Sequence, residues 1–462
     1  MTNDEIRNET SVNSTFARRS DLERDSFVIR LSSFVILVLL LFGLAGVAGA
    51  EPTAPSSLAT QGPKPEPISP PTEEGIQASI SRGVDFLLET QLKLGAWGKS
   101  ANSKYYTIWA PVPRAHLAFR TAVTGLCISA LIEAREQFQG DRRQRIESAI
   151  DRGQAWLLDH GDDLRRSEPD PYDDHFGYAL YNLWGHSFAI QALVQLHNRA
   201  AGDDELQTRL KTSVQNHVDR LRSCSFLNGG WGYYDSPVTD RFGRAAKPRR
   251  ARLQHPADSS SCFSTATVLI ALKQAERLGV EFPEKLIGEA LASIERQRYP
   301  DFAYAYGEYL RMMPRYDINR PAGSLGRSQV CNLATRMYDD ERVTDEVLKT
   351  WLNRLYARNG WLDNGRKRHI PGESPHSSDF GVAGYFFYYG HFYAAMCIEQ
   401  LPMAERPYFQ DHLAHILVPL QEKDGSWWDY ILYDYHQQYG TAMAISALVR
   451  CQHATPPAAN PK

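Results

Sequence analysis

The chain has 462 residues, 43% of them apolar and 11% aromatic, with a formal net charge of −3. That length admits two or three ordinary domains, and the apolar share supports a sizeable core. The near-neutral balance removes a global electrostatic basis for binding nucleic acid. One local basic stretch, Arg241 to Arg252, reads as a solvated loop, with an anion-binding flap as the sharper alternative.

In chain order, residues 1–30 form a cytoplasmic-side region carrying Arg18, Arg19, Arg24 and Arg30. Residues 31–50 carry no charge and end in Ala48-Gly49-Ala50, an A-x-A cleavage pattern. The stretch is either a secretory signal, with the mature chain starting near Glu51, or an uncleaved membrane anchor. Both options export the remainder to the periplasm or the extracellular space, because arginines stay on the cytoplasmic side. Residues 51–74 are rich in Pro, Ser and Thr and read as an extended, disordered linker. The tail 453–462 has a similar composition.

Residues 75–452 read as helix throughout. Six stretches share an apolar Ala-Leu-like run, and aligning the runs places Thr124, His186, Thr265, Arg327, His391 and Thr441 at one equivalent position. Four of them are opened by a large apolar residue and a glycine, as in Trp184-Gly185-His186 and Tyr389-Gly390-His391. Intervals of 62, 79, 62, 64 and 50 residues mark one supersecondary unit repeated six times. Between these helices lie six amphipathic ones, near 76–91, 143–159, 207–224, 283–298, 343–358 and 406–421. Alternation of all-apolar with one-sided helices gives two concentric rings, an all-α α6/α6 toroid. Links from an outer helix to the next inner one are long, so the long loops gather at one mouth beside the inner helix N-termini.

Gln91-Leu-Lys-Leu-Gly95-Ala-Trp97 and Gln421-Glu-Lys-Asp-Gly425-Ser-Trp427 both fit Q-x-x-x-G-x-W. Ser225…Gly229-Gly230-Trp231 is a degenerate copy and Gly360-Trp361 a shortened one. These strings resemble the QW motif of the squalene–hopene cyclase, oxidosqualene cyclase and protein prenyltransferase superfamily, over residues 75–452. The resemblance implies a structural role for the motif and an isoprenoid-like ligand for the cavity. The superfamily's catalytic motifs are missing. Ser261, Cys262, Phe263 and Ser264 stand where Asp-x-Asp-Asp would protonate an alkene, and Ser260 replaces the Asp of a zinc-binding Asp-x-Cys. No cofactor is implied, and whether the chain is an enzyme stays open.

Four groups are candidates for chemistry. His186, Arg327 and His391 form either a ligand-facing polar set or a set of interhelical hydrogen bonds. Arg327 and His391, on adjacent helices, would meet one anion. His186 and His391, on opposite helices ~20 Å apart, would not share a metal. Trp184, Phe263, Tyr389 and Tyr439 either line a cavity or fill a core. His391, Asp434 and His436 are a metal set by residue type, with a structural role as the alternative. In the second mouth loop Asp170, Asp173, Asp174 and His175 would serve as acid or base, or simply cap and solubilise. The fourth loop, from Tyr304 through Glu308 and Arg311 to Arg320, suits polar ligands including sugars, or satisfies itself. Cys127, Cys331, Cys397 and Cys451 read as small buried hydrophobes, with Cys224 and Cys262 free to pair.

These features lead to an exported toroid that binds a small hydrophobic or amphipathic ligand with an anionic head, its transformation of that ligand left open. Membrane association would run through 31–50, and no protein partner is indicated. The alternatives are a non-catalytic binding toroid and a carbohydrate-processing toroid enzyme, the last requiring two carboxylates ~5–9.5 Å apart.

Overall fold

The computed structural model describes residues 56–99, 113–164, 181–232, 259–367, 376 and 378–453. The chain divides into Met1–Thr53 and Ala54–Lys462. The first unit, with the 31–50 segment, lies outside the described residues, as do the basic stretch 241–252 and the loop holding Asp170, Asp173, Asp174 and His175.

Twelve helices carry the second unit. The outer ones are α1 (Glu73–Thr90), α3 (Gly140–His160), α5 (Asp204–Cys224), α7 (Glu284–Gln297), α9 (Asp345–Ala357) and α11 (Arg406–Leu417). The inner ones are α2 (Pro113–Ala134), α4 (Asn182–Arg199), α6 (Cys262–Ala275), α8 (Leu325–Met337), α10 (Phe386–Glu399) and α12 (His436–Cys451). No strand occurs among the described residues beyond two isolated bridges. Three outer helices open on a capping oxygen: Thr72 accepts from Gly75 N, Asp203 from Leu206 N and Thr344 from Val347 N.

Burial separates the two sets. In α6, twelve of fourteen residues are buried, whereas α5 buries five of twenty-one. A helix apolar all round needs neighbours on every side. Each inner helix packs on the next, α2 on α4 through to α10 on α12, and α12 packs back on α2. That last contact closes the ring and makes the unit an α/α toroid. Helix α2 is also the one described helix long and apolar enough to cross a membrane; its window is 78% buried in the ring.

Glycine spaces the inner ring where two backbones meet. A Cβ on Gly326 of α8 would strike the Phe386 carbonyl of α10, and one on Gly390 would strike the Gly326 Cα. The Q-x-x-x-G-x-W segments tie successive outer helices together. Gln91 Nε2 donates to Gly95 O and to Ala149 O of α3, and Gln421 Nε2 to Gly425 O and to Ser79 O of α1. The second tie spans the seam between the last repeat and the first.

The described part of the Pro-rich segment, from residue 56, opens on one helical turn, Ser57–Thr60, and is seated against the fold. Ala59 is fully buried. Arg354 of α9 donates to Leu58 O at 2.6 Å, to Gln61 O at 2.7 Å and to Asp301 O at 3.0 Å. Two strap carbonyls and one of the fourth loop share this guanidinium, which fixes the strap to the fifth repeat.

Candidate functional site

The repeated polar position is where structure and sequence expectation part most clearly. In three repeats it is a threonine that holds a tryptophan turn from outside the ring. Thr124 Oγ1 accepts from Trp97 N at 3.1 Å, Thr265 Oγ1 from Trp231 N at 3.0 Å, and Thr441 Oγ1 from Trp427 N at 2.9 Å. Each indole Nε1 donates to the carbonyl ten residues earlier, Leu87, Leu221 and Leu417. The degenerate third copy therefore builds the same turn as the two clean ones. The shortened fifth copy does not: Asn359–Gly365 is a helical turn, and Trp361 stands 41% exposed against Phe380.

Repeats without that turn carry the two histidines and the arginine. His186 Nδ1 lies 2.8 Å from His217 Nδ1 of α5. Burial, then His217 and Arg220, hold His186 well below the ordinary histidine range, so it is neutral. His391 donates through Nδ1 to Phe387 O at 2.7 Å, and burial pushes it down to about 4. It faces Arg366 and Asp363, on the outer side of α10. Arg327 differs in direction. Gly326 turns toward α10, Gln329 donates outward to Trp351 O, and Arg327 turns under the fourth loop. Its guanidinium donates to Tyr304 O, Gly323 O and Ile318 O. Arg327 and His391 therefore do not converge on one anion: one clamps a loop and the other, uncharged, faces outward.

Two residues earlier along the helix the side chains do meet. Trp184 of α4 stacks on Phe263 of α6 at 6.2 Å and stands edge-on to Tyr389 of α10 at 6.0 Å. Phe263 meets Phe386 at 5.1 Å and Tyr306 of the fourth loop at 5.3 Å. The Tyr389 hydroxyl lies 2.8 Å from Thr267 Oγ1 and donates to Phe263 O at 3.2 Å. Helices α4 and α10 are opposite in the ring, so these aromatics close its axis. Phe263 and Tyr389 are buried, whereas Trp184 is half-buried and keeps part of its indole open. Tyr439 does not join them.

Tyr439 instead donates to Asp429, a carboxylate that the repeat pattern does not single out. Asp429 is fully buried in the connector before α12 and also accepts from Tyr388 N at 3.1 Å. Burial raises its pKa to about 6, against the hydrogen bonds of Tyr439, Tyr388 N and Tyr430 N. Tyr385 packs on Tyr430 at 6.0 Å. Its hydroxyl lies 3.4 Å from both Tyr306 and His376 Nε2. Phenols and an imidazole thus connect the acid to the edge of the aromatic plug. Asp429 lies two residues after the repeat tryptophan Trp427, in a stretch that the repeat alignment does not cover.

The remaining candidates resolve as follows. His436 bonds through Nδ1 to Tyr433 O at 2.9 Å, and Asp434 is bridged through its backbone to Lys99. With His391 turned outward the three do not assemble, and no metal-holding group of three occurs among the described residues. Glu308 is buried and accepts from Ser260 Oγ at 3.0 Å and from Arg296, latching the fourth loop to the third. No disulfide forms among the six cysteines, Cys224 and Cys262 included. Asp173 and Asp174 lie outside the described residues.

No family model matches the chain, and no curated protein matches it. Among solved structures it is similar to a protein from Salmonella enterica described as a possible member of the GH105 family, at 12% identity, covering 83% of this chain and 95% of that one, with a TM-score of 0.45. It is similar also to the GH76A α-1,6-mannanase of Salegentibacter sp. HEL1_6, at 9% identity, 82% and 100% coverage and a TM-score of 0.44. An inactive variant of that mannanase, in complex with α-1,6-mannotetrose, gives 11%, 82%, 99% and 0.45. No residue role is transferred from them. The squalene-cyclase and prenyltransferase resemblance is corrected: the similar solved structures are a possible GH105 member and an α-1,6-mannanase, and the QW strings build a turn that holds outer helices together. The hydrophobic or amphipathic ligand is corrected with it, since aromatics close the ring axis and Arg327 is committed to three carbonyls.

Proposed function

We propose that this toroid binds and processes a carbohydrate at its mouth, above the closed axis rather than inside the ring. The observation that carries this reading is the half-open indole of Trp184, backed by Phe263 and Tyr389. A rigid, flat apolar surface suits the C–H face of a sugar ring, and nearby hydroxyl and imidazole groups suit its hydroxyls. Tyr385 and His376, both half-buried, supply those groups here. Asp429, with a pKa near 6, is the candidate general acid. A glycosidic reaction needs a second carboxylate ~5–9.5 Å away. Asp173 and Asp174 of the second mouth loop are the candidates for it.

The test is a glycan array followed by assay of released reducing ends, with α-1,6-linked mannooligosaccharides in the panel. Trp184→Ala is expected to abolish binding. Asp429→Asn is expected to keep binding and lose turnover. Absence of any bound glycan, or binding unchanged by Trp184→Ala, would end the reading. A second reading, a toroid that binds without catalysis, is favoured by the aromatic closure of the axis. Glycan binding with no released ends would select it.

A further inference from the structure

We infer that the mouth-end rim, led by a prong at residues 312–317, docks on a bilayer surface bearing anionic lipid. This goes beyond the carbohydrate reading and does not depend on it. Met312 to Asp317 are six consecutive exposed residues, with Met312 82% and Tyr316 53% accessible. Single exposed apolar side chains are ordinary, whereas three within five residues of one loop, Met312, Met313 and Tyr316, call for a partner. Nine such side chains stand exposed among the described residues, and seven lie at the mouth end. Leu94, Leu227 and Trp361 sit on the turns that follow α1, α5 and α9. Met312, Met313 and Tyr316 sit on the loop that follows α7. Leu58 sits on the strap beside that loop, pinned by Arg354. Only Met403 and Tyr408 lie at the other end.

The prong is built stiffly. Buried Asn319 donates to Leu310 O at 3.1 Å and to Met313 O at 3.0 Å, Tyr316 N bonds to Met313 O, and Arg320 Nε donates to Arg315 O. Its methionines are therefore held out by the fold. Its charge suits an anionic surface. Arg315 and Arg320 are exposed; Arg311 is half-buried and lies 3.5 Å from buried Glu308, and the one exposed acid of the prong, Asp317, lies 3.6 Å from Arg320. Methionine fills irregular apolar space, tyrosine favours the interfacial zone, and arginine pairs with anionic headgroups. The distribution favours a membrane over a protein. The apolar side chains are spread over separate turns around one end, which suits a fluid plane that each enters alone. A protein interface pools its apolar residues in one packed centre.

The test uses the full chain with Cys224→Ser, since Cys224 is the one cysteine not buried. Met312→Cys is labelled with an environment-sensitive dye, and Met403→Cys in a parallel sample serves as the opposite-end control. Vesicles of phosphatidylcholine with phosphatidylglycerol are expected to shift the 312 probe to the blue, with quenching by brominated acyl chains, and to leave the 403 probe unchanged. Arg315→Glu is expected to weaken the partition about tenfold, as is removal of phosphatidylglycerol. No shift at 312, equal shifts at both probes, or insensitivity to charge would overturn the inference. So would a concentration-dependent shift without vesicles, which would assign the rim to a second copy of the chain.

Discussion

Trp184 and His186 are two residues apart, and the fold uses them in opposite ways. The tryptophan reaches the ring axis and meets Tyr389 of the facing helix. The histidine reaches the outer layer and meets His217. Two residues on a helix is a rotation of about 200°, so the same repeat presents a tie on one side and an aromatic plug on the other. The most regular position, the Thr-His-Thr-Arg-His-Thr series, secures the architecture. The less regular position, where Trp184, Phe263 and Tyr389 stand, shapes the mouth. Recurrence thus marks what every repeat needs, which is attachment to its neighbour.

The largest effects should come from the outward side. Trp97→Ala or Trp427→Ala removes a fully buried indole together with its bond to an outer helix. A loss of about 3–5 kcal/mol is expected in denaturant unfolding. Arg327→Ala should cost a similar amount, because three carbonyls of the fourth loop lose their charged donor. If Arg327→Ala left stability intact and only weakened an anion, the clamp assignment would fall.

Next in size is a pH effect confined to the mouth. The folded pKa of Asp429 is raised to about 6, above its ordinary carboxylate value. Its contribution is therefore fully present below the unfolded pKa and lost as pH rises through 6. A shift of that size is worth on the order of 3 kcal/mol. The outward histidines run the other way. His391 is held at about 4, so its contribution is present near neutrality and lost as pH falls from the ordinary histidine value toward 4. Unfolding curves for wild type and Asp429→Asn between pH 4 and 7 separate the two. The variant should gain on wild type as pH rises. An unchanged difference would mean that Asp429 is not held protonated.

Much of this fold was legible before any coordinates. The six outer helices fall within about four residues of their expected bounds, because a one-sided apolar stripe shows in sequence. The ring followed from the repeats, and the Gln, Gly and Trp of the QW strings bind as turn-and-tie elements. Direction was harder to read. Nothing in Leu325-Gly326-Arg327 says that Gly326 packs on α10 and turns Arg327 beneath the fourth loop. Asp429 was invisible for another reason: it occurs in one repeat only, and aligning repeats discards what is unique to one of them. The isoprenoid expectation failed at the same point, since the turn motif carried a family's ligand along with its architecture.

Smaller changes sharpen the contrast further. Thr441→Val leaves Trp427 N buried without its acceptor, at a cost of about 1–3 kcal/mol. That change should leave glycan affinity alone, because Thr441 faces away from the ring axis. Trp184→Phe keeps an aromatic in the plug and trims only a half-open indole, so unfolding should shift by less than about 1.5 kcal/mol. Sugar affinity, read by titration calorimetry on the best array ligand, should nonetheless fall severalfold, because the ring that meets the ligand is smaller. The two variants then form a pair: one costs stability without binding, the other binding without stability. If Thr441→Val were the one to lose affinity, the division between an outward tie and an axial platform would be wrong, and the ligand would have to approach from the outer layer.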